Sequence, residues 1–206
     1  MKSLSTAIPI FPLSGALLLP SGNLPLNIFE PRYISMVNYA LANDKLIGMI
    51  QPKNNDTKDL YKTGCVGKIT TYSETDDSRY IINLNGLLKF EIKNEINHEE
   101  NFRLFNVEYE KNENHFEEFD KNSFDKKNFL QKIKFFFKKK GLAANLESIE
   151  EINEKSLIVM AAMVSPFTNN EKQMLLECKN INSLANTVIS LFDFEIKRFN
   201  ENETIN

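Results

Sequence analysis

Residues 11–33 read FPLSGALLLPSGNLPLNIFEPRY, a long apolar stretch that cannot be one helix. Pro12, Pro20 and Pro25 each lack a backbone N–H and would break a helix running through them. The stretch therefore reads as short strands over residues 8–13, 16–19 and 24–29. Ser21-Gly22-Asn23 supplies a tight turn, because Gly and Asn tolerate positive φ. Glu30-Pro31 then opens a helix to about residue 42. Proline at the first helical position loses no hydrogen bond, and a carboxylate there is favoured by the helix dipole.

A chain of 206 residues suits one large domain or two small ones. Its net charge of -3 argues against a dedicated nucleic-acid binder, which carries a basic excess. No apolar run is long enough to span a bilayer. The N-terminus has one Lys ahead of an apolar stretch, as a secretory signal would, but Pro9 and Pro12 interrupt it, so the chain reads as cytoplasmic. Cys65 and Cys178 form no CxxC motif, and the histidines are His98 and His115 alone. A closed zinc site needs about four such ligands, so neither metal nor cofactor is expected and both thiols read as reduced and buried. Nothing local supports a catalytic Cys–His pair.

The chain divides near residue 118. Residues 1–118 are strand-rich, with strands at 46–51, 64–73, from Arg79 onward and at 102–110, and turns or loops at 52–61 and 74–78. Asn85-Gly86 looks like a hairpin turn. A two-residue turn, however, would put Tyr80, Ile82 and Leu84 on one face with Lys89, Glu91 and Lys93. One continuous strand instead aligns Tyr80, Ile82, Leu84, Leu88, Phe90 and Ile92, and predicts a bend or bulge at Gly86. The acidic run Glu108, Glu110, Glu113, Glu117, Glu118 and Asp120 lacks the spacing and central Gly of a calcium loop and reads as solvated.

Residues 119–206 are helical. Residues 123–140 place Phe129, Leu130, Ile133, Phe136 and Phe137 on one face, and Lys138-Lys139-Lys140-Gly141 is a stop signal. Ser148-x-x-Glu151 and Thr168-x-x-Glu171 read as capping boxes, and Asn182 or Ser183 as the cap of a last helix. Four helices on short loops imply a compact bundle.

No enzymatic motif is present: no GxSxG, HExxH or GxGxxG, and residues 64–70 fail the Walker spacing. Several separate segments resemble the substrate-binding domain at the N-terminus of Lon proteases, and above all the small bacterial proteins made of that domain alone. They are Phe11-Pro12-Leu13, Leu19-Pro20, Leu24-Pro25-Leu26, Ile28-Phe29-Glu30-Pro31-Arg32-Tyr33, IGMIQP at 47–52, GCVG at 64–67, the run through Gly86 to Phe90, and Glu171-Lys172-Gln173 with Leu175, Leu176 and Glu177. Lys89 stands where Arg is usual and Ser78 where Gly is usual.

The resemblance implies an α+β fold: a PUA-like β-pseudobarrel with an embedded helix, followed by a C-terminal helical bundle. It implies a recognition domain without the ATPase and Ser-Lys protease modules, which have no room in this chain, hence a non-enzyme. Its partners would be unfolded or tagged polypeptides, with a protease or chaperone beside it, in protein quality control. Candidates for an apolar binding groove are Leu17, Leu18, Leu19, Leu24, Phe29 and Tyr33. Pro20, Pro25, Glu30, Pro31, Arg32, Gly64, Gly67, Gly86, Phe90, Glu171, Lys172 and Gln173 match family positions and are read as structural, with Glu30, Arg32 and Tyr33 fixing the strand-to-helix corner. The alternative is an RNA-binding PUA-like module. Its basic helix would run from Lys126 to Lys140, with Phe135, Phe136 and Phe137 interleaved for stacking. The simpler reading makes those phenylalanines core and those lysines a solvated face.

Overall fold

A computed structural model describes residues 4–53, 59–111, 119–121, 124–142 and 149–204, with residues 202–204 by backbone alone. The fold is α+β. Contacts divide the chain into two units, Met1–Glu113 with Phe167–Glu177, and Asn114–Pro166 with Cys178–Asn206. The boundary near 118 therefore needs one correction, since the segment Phe167–Glu177 joins the strands.

In the first unit the described elements run β1 (Ala7–Pro12), β2 (Asn23–Ile28), α1 (Pro31–Ala42), β3 (Leu46–Ile50), β4 (Thr63–Glu74), β5 (Tyr80–Ile96) and β6 (Arg103–Tyr109). The sheet order is β2-β5-β4-β3-β1-β6, and β5 also pairs with β6. That second pairing closes β1, β3, β4, β5 and β6 into a barrel and leaves β2 outside the closure. The length of β5 makes this possible. Its 17 residues pair first with β2, over Tyr80 to Asn85, and then with β6, from Phe90 to Ile96. The register slips where Val66 faces Leu88 but Gly67 faces Gly86, so the continuous strand is bulged where its alternation predicted. Ile8, Ile10, Leu46, Ile50, Val66, Phe90, Phe105 and Val107 fill the barrel. β1 and β3 are parallel, and β2 and α1 lie in the crossover between them.

Residues 16–19 are not a strand. Pro20 follows them, the Leu19 carbonyl accepts from the Gly22 N–H, and the Ser21 N–H donates to the Gly86 carbonyl. The run thus leaves the sheet direction and turns onto β5. Its left-handed residue is Ser21, at φ 64°, rather than Gly22 or Asn23.

The helix α4 (Asn169–Leu176) belongs to this same unit. Both halves of its capping box form: the Thr168 hydroxyl accepts from the Glu171 N–H, and the Glu171 carboxylate accepts from the Thr168 N–H. Lys172 Nζ donates to the Gly15 carbonyl and Gln173 Nε2 to the Thr63 carbonyl, which ties the helix to the strand unit. Removing the cap by Thr168→Ala is expected to cost about 1 kcal/mol in urea unfolding.

The second unit contains α2 (Lys126–Lys139), α3 (Glu154–Val164) and α5 (Ile181–Thr204), and α5 packs on both others. Of the four helices read from the sequence, three thus lie in this unit and the other, α4, joins the strands. Phe129, Phe136 and Phe137 are buried, and the Phe192 ring lies 5.0 Å from that of Phe136. Two caps differ from the sequence reading. Asn153 caps α3, its side chain accepting from the Ser156 N–H, while Ser148 lies outside the described residues. Asn180 caps α5, accepting from the Ser183 N–H. Among the described residues no helix is long and apolar enough to cross a membrane, and no cluster of ligands suits a metal ion. Neither Cys65 nor Cys178 forms a disulfide; Cys65 is buried, and Cys178 is half-buried rather than buried. Of the acidic run, Glu113, Glu117 and Glu118 lie outside the described residues, as does His115.

Candidate polypeptide-binding surface

The six residues proposed from sequence do not form one groove. Leu17, Leu18 and Leu19 are 2%, 2% and 0% exposed, so they are core and the reading of them as a groove is corrected. The glycines beneath them show why. A Cβ on Gly67 would lie 2.8 Å from Leu18 Cδ2, and a Cβ on Gly86 would lie 2.0 Å from the Leu19 carbonyl oxygen. The segment 16–19 is laid directly on β4 and β5, and that is where its leucines go. A Cβ on Gly64 would likewise lie 2.4 Å from the Phe90 ring.

Tyr33 is buried too. Its ring packs 4.3 Å from that of Phe11, and the Arg32 guanidinium lies 4.4 Å from its centroid. Burial pushes its phenol above the usual tyrosine range, against the opposing pull of Arg32. Arg32 also pairs with Glu30 at 2.8 Å, and the Glu30 carbonyl accepts from the Tyr33 and Ile34 N–H groups. These contacts join β2 to α1.

Phe29, Tyr72 and Ile81 stay exposed on β2 and the strands beside it, as Met174 does on α4 and Leu142, Val164 and Phe194 do in the second unit. Phe29, just past the end of β2, is 60% exposed, and Ile81 on β5 is 50% exposed. Register explains the pairing. Asn27 faces Ile81 and Pro25 faces Asn83, so the odd-numbered residues of β2 share one sheet face with the odd-numbered residues of β5. Phe29 and Ile81 are diagonal neighbours there. The even set turns the other way: Ile82 and Leu84 are buried, and Leu24 and Leu26 half-buried. Tyr72, also exposed, faces Ile82 and belongs to that opposite side. The outer face also carries Asn23, Pro25 and Asn27 on β2, Asn83 and Asn85 on β5, and Thr71, Ser73 and, opposite Asn85, the exposed Lys68 on β4, without a carboxylate among them. At its end Arg79 lies 6.0 Å from the Phe29 ring and pairs with Asp77 at 2.7 Å. The Thr75 hydroxyl first, and Arg79 after it, hold Asp77 below the usual carboxylate range.

Sequence reading found Phe29 and missed Ile81. The signal was present: Ile81 falls out of phase with Tyr80, Ile82 and Leu84, so a strand with those residues inward must turn Ile81 outward.

The basic helix α2 presents less free charge than its sequence suggests. Lys126 donates to the carbonyls of Glu150 and Ile152, Lys132 pairs with Asp193, Lys134 with Glu150 and Lys140 with Glu195. An open cavity of about 530 Å³ beside it is lined by Lys126, Lys127, Leu130, Gln131, Lys134 and Glu150.

Residues 7–193 match the profile of the ATP-dependent protease La (LON) substrate-binding domain. The chain belongs to that family. The Lon protease of Buchnera aphidicola subsp. Acyrthosiphon pisum is 26% identical over 204 residues, which is 95% of this chain and 26% of that protein. Lon protease 2 of Sorangium cellulosum is 30% identical over 93 residues, 42% of this chain and 12% of that protein. The chain thus spans about a quarter or less of these curated relatives, and the match includes no protease or ATPase domain. In structure it resembles a Lon N-terminal domain protein from Xanthomonas campestris, with a TM-score of 0.59 and 16% identity over 90% of this chain and 98% of that one. It also resembles the N-terminal domain of Mycobacterium avium complex Lon protease, with a TM-score of 0.61 and 11% identity over 91% of this chain and 98% of that one. These likenesses show the fold. The resemblance noted in the sequence therefore extends from β1 into α5 of the LON substrate-binding domain.

Proposed function

We propose that this LON-type domain is a non-catalytic recognition module that binds unfolded or tagged polypeptide, as an adaptor or chaperone-like factor in protein quality control. The observation that carries this reading is the exposed pair Phe29 and Ile81, two large apolar side chains on one sheet face. Covering such side chains with apolar side chains of a partner gains about 25 cal/mol per Å² removed from water. Folded proteins keep such side chains inside, and unfolded chains offer them. The amides beside the pair are neutral, and the cation nearest Phe29, Arg79, is paired with Asp77, so selection rests on apolar character more than on charge.

The test is fluorescence anisotropy of the purified protein with labelled, reduced and carboxymethylated α-lactalbumin, which cannot refold. Saturable binding is expected, and the double variant Phe29→Ser/Ile81→Ser is expected to weaken it about tenfold. Because both residues are exposed, the melting temperature should stay within about 2 °C of the parent. No polypeptide binding, or binding indifferent to the double variant, would overturn the assignment of this face. Labelled single-stranded RNA is the parallel ligand: RNA binding alone, falling steeply with salt, would move the function to the basic helix.

A further inference from the structure

We infer that polypeptide is captured as an added strand on the free edge of β2, which deepens the function proposed above and rests on it. Among the described residues β2 ends the sheet order, and β5 is its one partner strand. The hydrogen-bond phase of that pairing is fixed at its start, where the Gly86 N–H donates to the Gly22 carbonyl. Counting along the register, Leu24, Leu26 and Ile28 also turn their backbone groups to β5, while Asn23, Pro25 and Asn27 turn theirs away. The Asn83 carbonyl accepts from the Thr70 hydroxyl on β4, as this phase requires. The edge thus presents N–H groups at Asn23 and Asn27 and carbonyls at Asn23, Pro25 and Asn27.

Pro25 takes on a meaning here. Its ring nitrogen lies on the outward phase, so it costs the β2–β5 ladder nothing. It does blunt the edge against a second copy. Two β2 strands pairing about their centres would set Pro25 against Pro25 and leave both facing carbonyls without a donor. A guest chain loses only one such bond.

The side chains name the guest. A strand laid on this edge alternates its residues between two sides. On one side they meet Pro25 and Phe29, both exposed. On the other they meet Leu24 and Leu26, which are half-buried and still partly open. Each side thus offers apolar side chains, set on the first among the neutral Asn23 and Asn27, and no residue of β2 itself carries charge. The occupant is therefore an extended run apolar on both faces, which is the composition of a strand buried inside a folded protein and exposed only when that protein unfolds.

The experiment uses a short labelled peptide of valine and phenylalanine between lysines, read by anisotropy with the intact protein. Methylating alternate backbone amides leaves one hydrogen-bonding edge of the peptide whole, and affinity should change less than about threefold. Methylating every amide leaves no edge, and affinity should fall more than about tenfold. Asn27→Pro removes an outward N–H without touching the β5 ladder and should weaken the unmethylated peptide about fivefold, whereas Pro25→Val should tighten it. Equal binding by all three peptides, together with loss in Phe29→Ser/Ile81→Ser, would overturn the added strand while sparing the recognition face. A β2-dependent dimer that competes with peptide would overturn it in favour of a second copy, and absence of all peptide and polypeptide binding would overturn both readings.

Discussion

Leu18→Asp is expected to unfold the strand-rich unit, although the same change at Phe29, eleven residues on, leaves it intact. Leu18 is 2% exposed and lies against Gly67 and Gly86 on the sheet, where there is no room for a shell of water. Deleting a buried leucine side chain costs about 2–5 kcal/mol before any charge is considered. An aspartate placed there brings no cation with it and must either stay ionised in an apolar site or take up a proton, adding several kcal/mol. A total of about 5 kcal/mol is a large part of what a domain of this size has. The melting temperature should fall by roughly 10–20 °C, or the protein should fail to accumulate in soluble form. At Phe29→Asp, 60% exposed, the melting temperature should stay within about 2 °C while polypeptide affinity drops. Differential scanning calorimetry with the anisotropy assay separates the two cases. A soluble Leu18→Asp protein with unchanged melting and weakened binding would return Leu18 to the binding surface.

The contrast shows what the sequence could tell and what it could not. Elements whose evidence is local were legible: the helix opened by Glu30-Pro31, the long β5 with its bulge at Gly86, and the Thr168 to Glu171 capping box each follow from spacing and stereochemistry. Pairings set by tertiary contact were not. Ala16-Leu17-Leu18-Leu19 has strand composition, yet it lies as an irregular crossing because two glycines far along the chain leave a bed for it. Nothing near residue 16 reports the absence of a Cβ at residue 86. The placement of α4 among the strands is of the same kind, since Lys172 and Gln173 find carbonyls at Gly15 and Thr63, more than a hundred residues earlier. The candidate surface fell between these cases. Phase alone turns Ile81 outward, but that Phe29 stands beside it depends on the pairing of β2 with β5.

Gly86→Ala tests that crossing from its other side. The added methyl would sit 2.0 Å from the Leu19 carbonyl oxygen and 2.9 Å from its carbon. Both are backbone atoms, so no rotamer change clears them, and the Leu19 carbonyl is already held by the Gly22 N–H. Either the segment 16–19 lifts from the sheet or β5 shifts, and each exposes leucines now buried. A loss of about 3 kcal/mol, at the upper end for an overpacked core, is expected in urea unfolding. Gly67→Ala provides the comparison. Its nearest obstacle, at 2.8 Å, is the Leu18 Cδ2 methyl, the far end of a rotatable side chain. That change should cost about 1 kcal/mol and should be largely relieved by shortening Leu18 to valine, whereas the same shortening should not rescue Gly86→Ala. Rescue of both variants by Leu18→Val would mean that side-chain crowding, not the backbone of Leu19, makes residue 86 glycine.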